Sequence, residues 1–350
     1  MRNKKILDSF LFLIISLTII GGCSSGNGNI NPSPGQTVPY DLETAIELGE
    51  LSLVAYEQLV QCADTMGSGK GSITVPSPYM LEEVIFEGVD STIDTITCVD
   101  DTSVIPLAFI ATKGNSIYVV FRGTVENSEA VADTDVIQVP YDFVPDGGTV
   151  SEGFLGIYDG TQAKPIESEI LNKLDKLIST GKYDKIFITG HSLGGALSVL
   201  AFPDLSRNVT IPNVIMYSFA GPGVGNATFA NTYASLFGLN RISWRVVNTN
   251  DLFTKLPPLG LNCPDVFYEQ VSGEQDYTFG VTLPALPDFS KENCDAALIA
   301  SQLATYELNN SSGIDENHSM CNYFMTLCMM GSDPSTCTDR AIGCGGPNPP

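Results

Sequence analysis

The segment KIFITGHSLGGALSVLAF, from Lys185 to Phe202, constrains the fold more than any other part of the chain. Lys185 to Thr189 has the make-up of a buried strand, Gly190 to Gly194 is a turn, and Ala196 to Phe202 begins an apolar helix. The turn has the pattern G-x-S-x-G. By itself that pattern is weak, because Gly and Ser are common here, but in a strand–turn–helix context it describes a sharp bend with Ser192 at its apex. Such a bend holds the serine in strained backbone geometry with its hydroxyl exposed, and Gly190 and Gly194 leave room for the neighbouring strand and helix. The helix that follows aims its N-terminal amides at the place where negative charge would develop on a substrate attacked by Ser192.

The flanking sequence supplies the rest of the sheet. From Tyr40 the residues Leu42, Ala45, Ile46, Leu48, Leu53, Val54 and Leu59 recur at three- and four-residue steps, which predicts an N-terminal helix. Asp94 to Val99, Leu107 to Thr112 and Ser116 to Phe121 read as strands, the last carrying the apolar run IYVVF of a central strand. Ile166, Ile170, Leu174, Leu177 and Ile178 line one face of a helix over Lys164 to Ser179. Val214 to Phe219 and Ile242 to Val247 are further strands, the first running into the Gly-rich turn AGPGVGN. Strands alternating with helices give an α/β class with a mostly parallel central sheet flanked by helices.

A serine needs a base to become a nucleophile, and histidine is the usual one. The chain has only two histidines. His191 adjoins Ser192 on the bend, where consecutive side chains diverge, which leaves His318. A third group has to orient the imidazole, and in this architecture the chain order is Ser, acid, His. Seven aspartates lie between Ser192 and His318: Asp204, Asp251, Asp265, Asp276, Asp288, Asp295 and Asp315. Asp251 is the first choice, because WRVVNTND places it just past a strand, on the edge where Ser192 emerges. Asp265 is the reserve.

The N-terminus bears on where this chemistry takes place. MRNKK is basic and Ile6 to Ile20 is largely apolar, the pattern of a secretory signal, and it ends in IGGC at Cys23. That ending resembles the bacterial lipobox and implies a signal peptide over 1–22 and a diacylated Cys23. A plain cleaved signal with an incidental cysteine is the alternative. Residues 23–39 are a Gly/Ser/Asn/Pro tether that would hold a globular domain off a membrane. The expectation is an exported, membrane-anchored lipoprotein of the outer membrane or cell surface. Export makes the compartment oxidising, and the nine cysteines become eight once Cys23 is set aside. Cys321, Cys328, Cys337 and Cys344 crowd the C-terminus, so disulfides stapling that segment are expected, in a pairing that spacing does not reveal. Without a CxxC pair, and with one histidine nearby, zinc is not expected. The net charge of −23, with 17 basic residues against 40 acidic, excludes nucleic acid as a natural partner.

Together the motifs resemble the class 3 lipase family, the fungal-type lipases. VVFRGT (Val119 to Thr124) is similar to the family's oxyanion strand, and GHSLGG to its nucleophile turn. GPGVGN (Gly221 to Asn226), VVNTNDLFTKLPP and NHSMCNYF stand in family-like order after them, and the match runs from about Tyr40 to Met330. The resemblance implies an α/β-hydrolase fold, no cofactor, and an oxyanion hole made by the backbone amides of Thr124 and Leu193, with Arg122 as an anchor behind it. It implies a catalytic domain over 40–330, followed by a Cys/Gly/Pro-rich tail over 331–350, and a monomer.

Two features depart from the family. Val125 to Asp135, where a Trp-containing lid is common, holds no aromatic residue and four acids, and Ser151 stands where the family often has His. The implied activity is serine ester hydrolysis of acylglycerols or short soluble esters. Phospholipase A1-like and feruloyl-esterase-like hydrolysis, or a non-catalytic binding lipoprotein on the same fold, are the alternatives.

Overall fold

A computed structural model of the chain describes residues 38–64, 74–88, 104–124, 137–160, 165–238, 240–257, 268–287 and 296–345. The expectations for the signal and Cys23, for a strand over 94–99, for the acidic segment 125–135 and for Asp265 fall outside these residues. No helix among the described residues is long and apolar enough to cross a membrane.

In chain order, α1 (Leu42–Asp64) precedes strands β1 (Met80–Gly88), β2 (Val104–Lys113) and β3 (Ser116–Phe121). A short hairpin, β4 (Gln138–Pro140) and β5 (Thr149–Ser151), leads into α2 (Glu152–Asp159) and α3 (Ile166–Ile178). Then come β6 (Lys185–His191), α4 (Leu193–Asn208), β7 (Asn213–Phe219), α5 (Ala227–Ser235), β8 (Arg241–Asn248) and β9 (Glu274–Tyr277). The chain closes with α6 (Ala296–His318), α7 (Met320–Met330) and the single turn α8 (Cys337–Arg340).

The main sheet has the order β1-β2-β3-β6-β7-β8-β9. From β3 to β9 every neighbouring pair is parallel, while β1 and β2 are added antiparallel at one edge. Parallel strands put all their C-terminal ends on one edge, so the residues that follow β6 and β8 emerge on the same edge, on either side of β7.

Side-chain alternation along the strands divides the core in two. On one face Ile117, Val119, Phe121, Ile186, Ile188 and Val214 pack under α2, α3, α4 and α5. On the other, Tyr118, Val120, Phe187, Phe219, Trp244 and Val246 pack under α1 and α7. The helix predicted from Ile166, Ile170, Leu174 and Leu177 buries those four residues, and its ends fall within two residues of the expected ones.

The sequence expectation does not include β1, β4, β5, β9, α2, α5, α6, α7 or α8, and it sets no end for α4. Strand β1 is absent from it, since MLEEVIFEG carries three acids and lies at the sheet edge, where half the surface is solvated and the apolar signal is diluted. Helix α4 continues five residues beyond Pro203, which sits in its interior. Proline costs a helix about 3 kcal/mol. Burial of nearly every side chain from Gly194 to Ser206 offsets that cost.

The four C-terminal cysteines form two disulfides, Cys321–Cys344 and Cys328–Cys337. They fold the last described residues back onto α7. There Arg340 pairs with Glu50 of α1 at 2.8 Å, and the Ser332 amide donates to Glu43 at 2.6 Å.

Candidate active site

Ser192 joins β6 to α4 with φ 57° and ψ −121°, a backbone conformation that costs an L-residue energy and is held by what surrounds it. Its N–H donates to the Phe219 carbonyl at the end of β7, and its own carbonyl accepts from Ala196 N in the first turn of α4. A Cβ on Gly194 would collide with the carbonyl of Phe121 on β3. The glycine is therefore required for the helix to start this close to the neighbouring strand.

The structure brings Ser192, His318 and Asp251 together from three separate segments. His318 Nε2 lies 2.8 Å from Ser192 Oγ. His318 Nδ1 lies 2.9 Å from Asp251 Oδ2 and 3.1 Å from Oδ1. A carboxylate only accepts, so Nδ1 carries the ring proton and Nε2 offers its lone pair to the serine O–H. All three side chains are buried. The Phe253 ring stacks on the His318 imidazole with centroids 3.8 Å apart, shielding one face of it from water.

Asp251 stands three residues past β8 and is held by two further donors. The Phe253 backbone N–H donates to Oδ1 at 2.9 Å, and the Tyr323 hydroxyl of α7 donates to Oδ2 at 2.9 Å. Tyr323 Oη in turn accepts the Asn248 backbone N–H at 2.8 Å. A carboxylate fixed by three donors cannot rotate, and it dictates the plane in which the imidazole lies. Among the other aspartates, Asp204 is a buried residue of α4, where Tyr158 and Asn208 donate to it. Asp276 belongs to β9 and Asp315 to α6.

The residues expected to hold an oxyanion flank the serine. Leu193 is the first residue of α4, and the first amides of a helix have no intrahelical partner. Thr124 follows Gly123, on which a Cβ would stand only 3.1 Å from that of Ser192. Arg122 is buried, its Nε donating to the Pro106 carbonyl at 2.9 Å and its Nη1 to the Gly123 carbonyl at 2.5 Å. In a planar trans peptide the carbonyl and the next N–H point in opposite directions. By holding the Gly123 carbonyl, Arg122 turns the Thr124 amide the other way.

Sequence reasoning missed Tyr323, Phe253 and Tyr56. The first two sit five and two residues beyond His318 and Asp251, so proximity was visible, but an apolar or aromatic residue near a motif is as readily a core residue. Tyr56, on the buried face of α1, carried no local signal. Ser151, which stands where a histidine was noted as common, is the N-cap of α2 and accepts from Phe154 N. No group of three or more metal-ligating side chains occurs among the described residues.

A model of the family described as lipase (class 3) matches residues 118–261, the span that carries β3, the nucleophile turn and Asp251. Over 206 residues the chain is 30% identical to a lipase of Rhizopus niveus, covering 57% of this chain and 50% of that protein. It is 34% identical over 166 residues to phospholipase A1-Ialpha2 of Arabidopsis thaliana, covering 42% of this chain and 34% of the other. The chain thus spans half or less of the length of these curated relatives. Among solved structures, lipase II of Rhizopus niveus superposes with a TM-score of 0.51 at 22% identity, over 69% of this chain and 82% of that one, which establishes the α/β fold they share.

Proposed function

We propose that the chain is a class 3 lipase-type serine ester hydrolase in which Ser192 is the nucleophile, His318 the general base and Asp251 the group that orients it. The observation that carries this reading is the unbroken hydrogen-bond chain from Ser192 Oγ through both nitrogens of His318 to Asp251. A purely structural serine has no use for it.

The chemistry follows from the protonation states. As Ser192 Oγ attacks the carbonyl carbon of an ester, its proton passes to His318 Nε2, and the imidazolium that forms is stabilised by Asp251. The carbonyl oxygen becomes an oxyanion held by the Thr124 and Leu193 amides. Removing one such donor costs about 100- to 1000-fold in rate. The C–O bond to the alcohol then breaks, and His318 Nε2–H protonates the leaving oxygen. Water, deprotonated by the same nitrogen, attacks the acyl-serine, and the carboxylic acid departs with Ser192 Oγ–H restored. No step needs a metal or a redox group.

The substrate class we propose is a neutral acylglycerol or a short soluble ester. A net charge of −23 repels anionic headgroups, which sets phospholipase A1-like hydrolysis second, although a relative of that name matches part of the chain. We further propose that Cys23 carries a lipid anchor that holds the enzyme at a membrane outside the cytoplasm.

Ser192→Ala is expected to abolish p-nitrophenyl ester cleavage while leaving the urea unfolding midpoint within experimental error. A fluorophosphonate probe is expected to label the wild type and not the variant. Full residual activity in Ser192→Ala would remove the proposal.

A further inference from the structure

His191, the neighbour of the nucleophile, takes no part in the proton transfers described above, yet both its ring nitrogens are committed. Nε2 lies 2.7 Å from the backbone carbonyl oxygen of His318. Nδ1 lies 2.7 Å from the hydroxyl of Tyr56 on α1. A carbonyl oxygen can only accept, so the ring proton is on Nε2. Burial, and then the neighbouring His318, hold the His191 pKa well below the ordinary histidine value, so the ring is neutral and Nδ1 accepts the Tyr56 O–H. The Gly123 backbone approaches the same hydroxyl so closely that a Cβ on Gly123 would land on it.

A continuous buried relay results: Tyr56 O–H to His191 Nδ1, and from His191 Nε2–H to the carbonyl of His318. It joins α1 to the residue before the nucleophile and to the residue carrying the base, and the same Tyr56 hydroxyl abuts Gly123, the residue before the oxyanion amide. The His318 carbonyl needs this partner. His318 ends α6, the last carbonyls of a helix have no intrahelical donor, and α7 begins only at Met320. A buried carbonyl without a donor is costly enough to rotate its peptide. The imidazole on the same residue would move with it.

We propose that His191 is a positioning residue, locked by Tyr56 as the Nε2–H tautomer and holding the His318 backbone so that the imidazole of His318 meets Ser192. The proposal rests on the triad reading above. It has a consequence that a merely structural histidine would not produce. The chain's two histidines stand with ring centroids 4.7 Å apart in opposite neutral tautomers, His191 protonated on Nε2 and His318 on Nδ1.

With only two histidines, uniformly [15N]histidine-labelled full-length protein resolves four ring nitrogens. Two-bond proton–nitrogen correlations should show one ring of each tautomer, with His191 not titrating between about pH 5 and pH 8. Two variants separate the halves of the relay. His191→Asn keeps an acceptor where Nδ1 stood, facing Tyr56, and loses the donor to His318. His191→Gln places an amide N–H where Nε2 stood and keeps that donor.

For a soluble p-nitrophenyl ester, kcat of His191→Asn should fall on the order of 100-fold, with KM changed less than about twofold. His191→Gln should retain at least about tenfold more of the wild-type kcat than His191→Asn at similar urea midpoints. A His191 protonated on Nδ1, equal losses in the two variants, or losses that follow stability would each overturn the proposal. Should a variant fail to fold, the wild-type tautomer pattern decides. A wild type without esterase activity would sink the triad reading, and the tautomer pattern would still test the relay.

Discussion

At the residue scale, the site is a set of small positions with one acceptable orientation each. Ser192 is held at positive φ, the Thr124 amide is aimed by the grip of Arg122 on the preceding carbonyl, and Asp251 is fixed by three donors. Burial of neutral His191 carries a stability cost that depends on pH. Its pKa is depressed in the folded chain and stays near the ordinary 6.5 when unfolded, so the unfolded state binds more protons as pH falls. The contribution is complete above about pH 6.5 and is lost, by up to about 1.4 kcal/mol per pH unit, as pH drops toward the folded-state value. Urea midpoints of the wild type should therefore fall more steeply below pH 6.5 than those of His191→Gln, and parallel curves would contradict this. That His318 alone could serve as the base was legible from a count of two histidines. What His191 does instead was not, because its partners are 135 and 127 residues away in sequence.

At the scale of elements, α7 is the hinge between stability and site. It follows His318 after a single residue, supplies Tyr323 to Asp251, and packs Tyr323, Phe324 and Leu327 against α1 and the sheet. Both C-terminal disulfides start on it, at Cys321 and Cys328. The Cys328–Cys337 bridge closes a separation of nine residues. By the loop-closure relation a bridge of that length restricts the unfolded chain by about 2–3 kcal/mol. Cys328→Ala/Cys337→Ala is thus expected to lower unfolding stability by about that amount. Because α7 carries Tyr323, kcat is expected to fall with it, and a variant with unchanged calorimetric melting would show the staple to be idle.

The elements that build the centre of the sheet and its first flanking helices were readable, and the short or peripheral ones were not. β3, β6, β7, β8, α1 and α3 are internal or amphipathic segments, and each buries most of the described residues its periodicity marked, Leu42 and Ile178 being only partly covered. β1, at an edge and carrying acids, did not show. Nor did α6, whose sequence mixes Asn, Ser and Gly with scattered apolar residues and shows no clean helical stripe.

For the molecule as a whole, the two-faced sheet leaves its C-terminal edge as the place where distant segments converge, and the acidic surface sets what can approach that edge. The acid-rich segment after Thr124 and the charge of −23 argue against strong activation at an oil surface. With p-nitrophenyl esters of increasing chain length, the rate is expected to pass the solubility limit without a jump, and a sharp rise there would contradict this. In a host that processes lipoproteins, Cys23→Ala is expected to move the protein from the membrane fraction to the soluble one, and continued sedimentation with membranes would count against the anchor.

The sequence alone determined the α/β layering, the serine at the bend and the histidine that could serve it, because these depend on local periodicity, backbone sterics and a count of side chains. Only the tertiary structure decided which of seven aspartates meets His318, how four crowded cysteines pair, and that Tyr56 and His191 on one side and Tyr323 on the other are hydrogen-bonded around His318 and Asp251. Those choices depend on contacts between residues separated by 9 to 135 positions, and closure of the fold brings them within bonding distance.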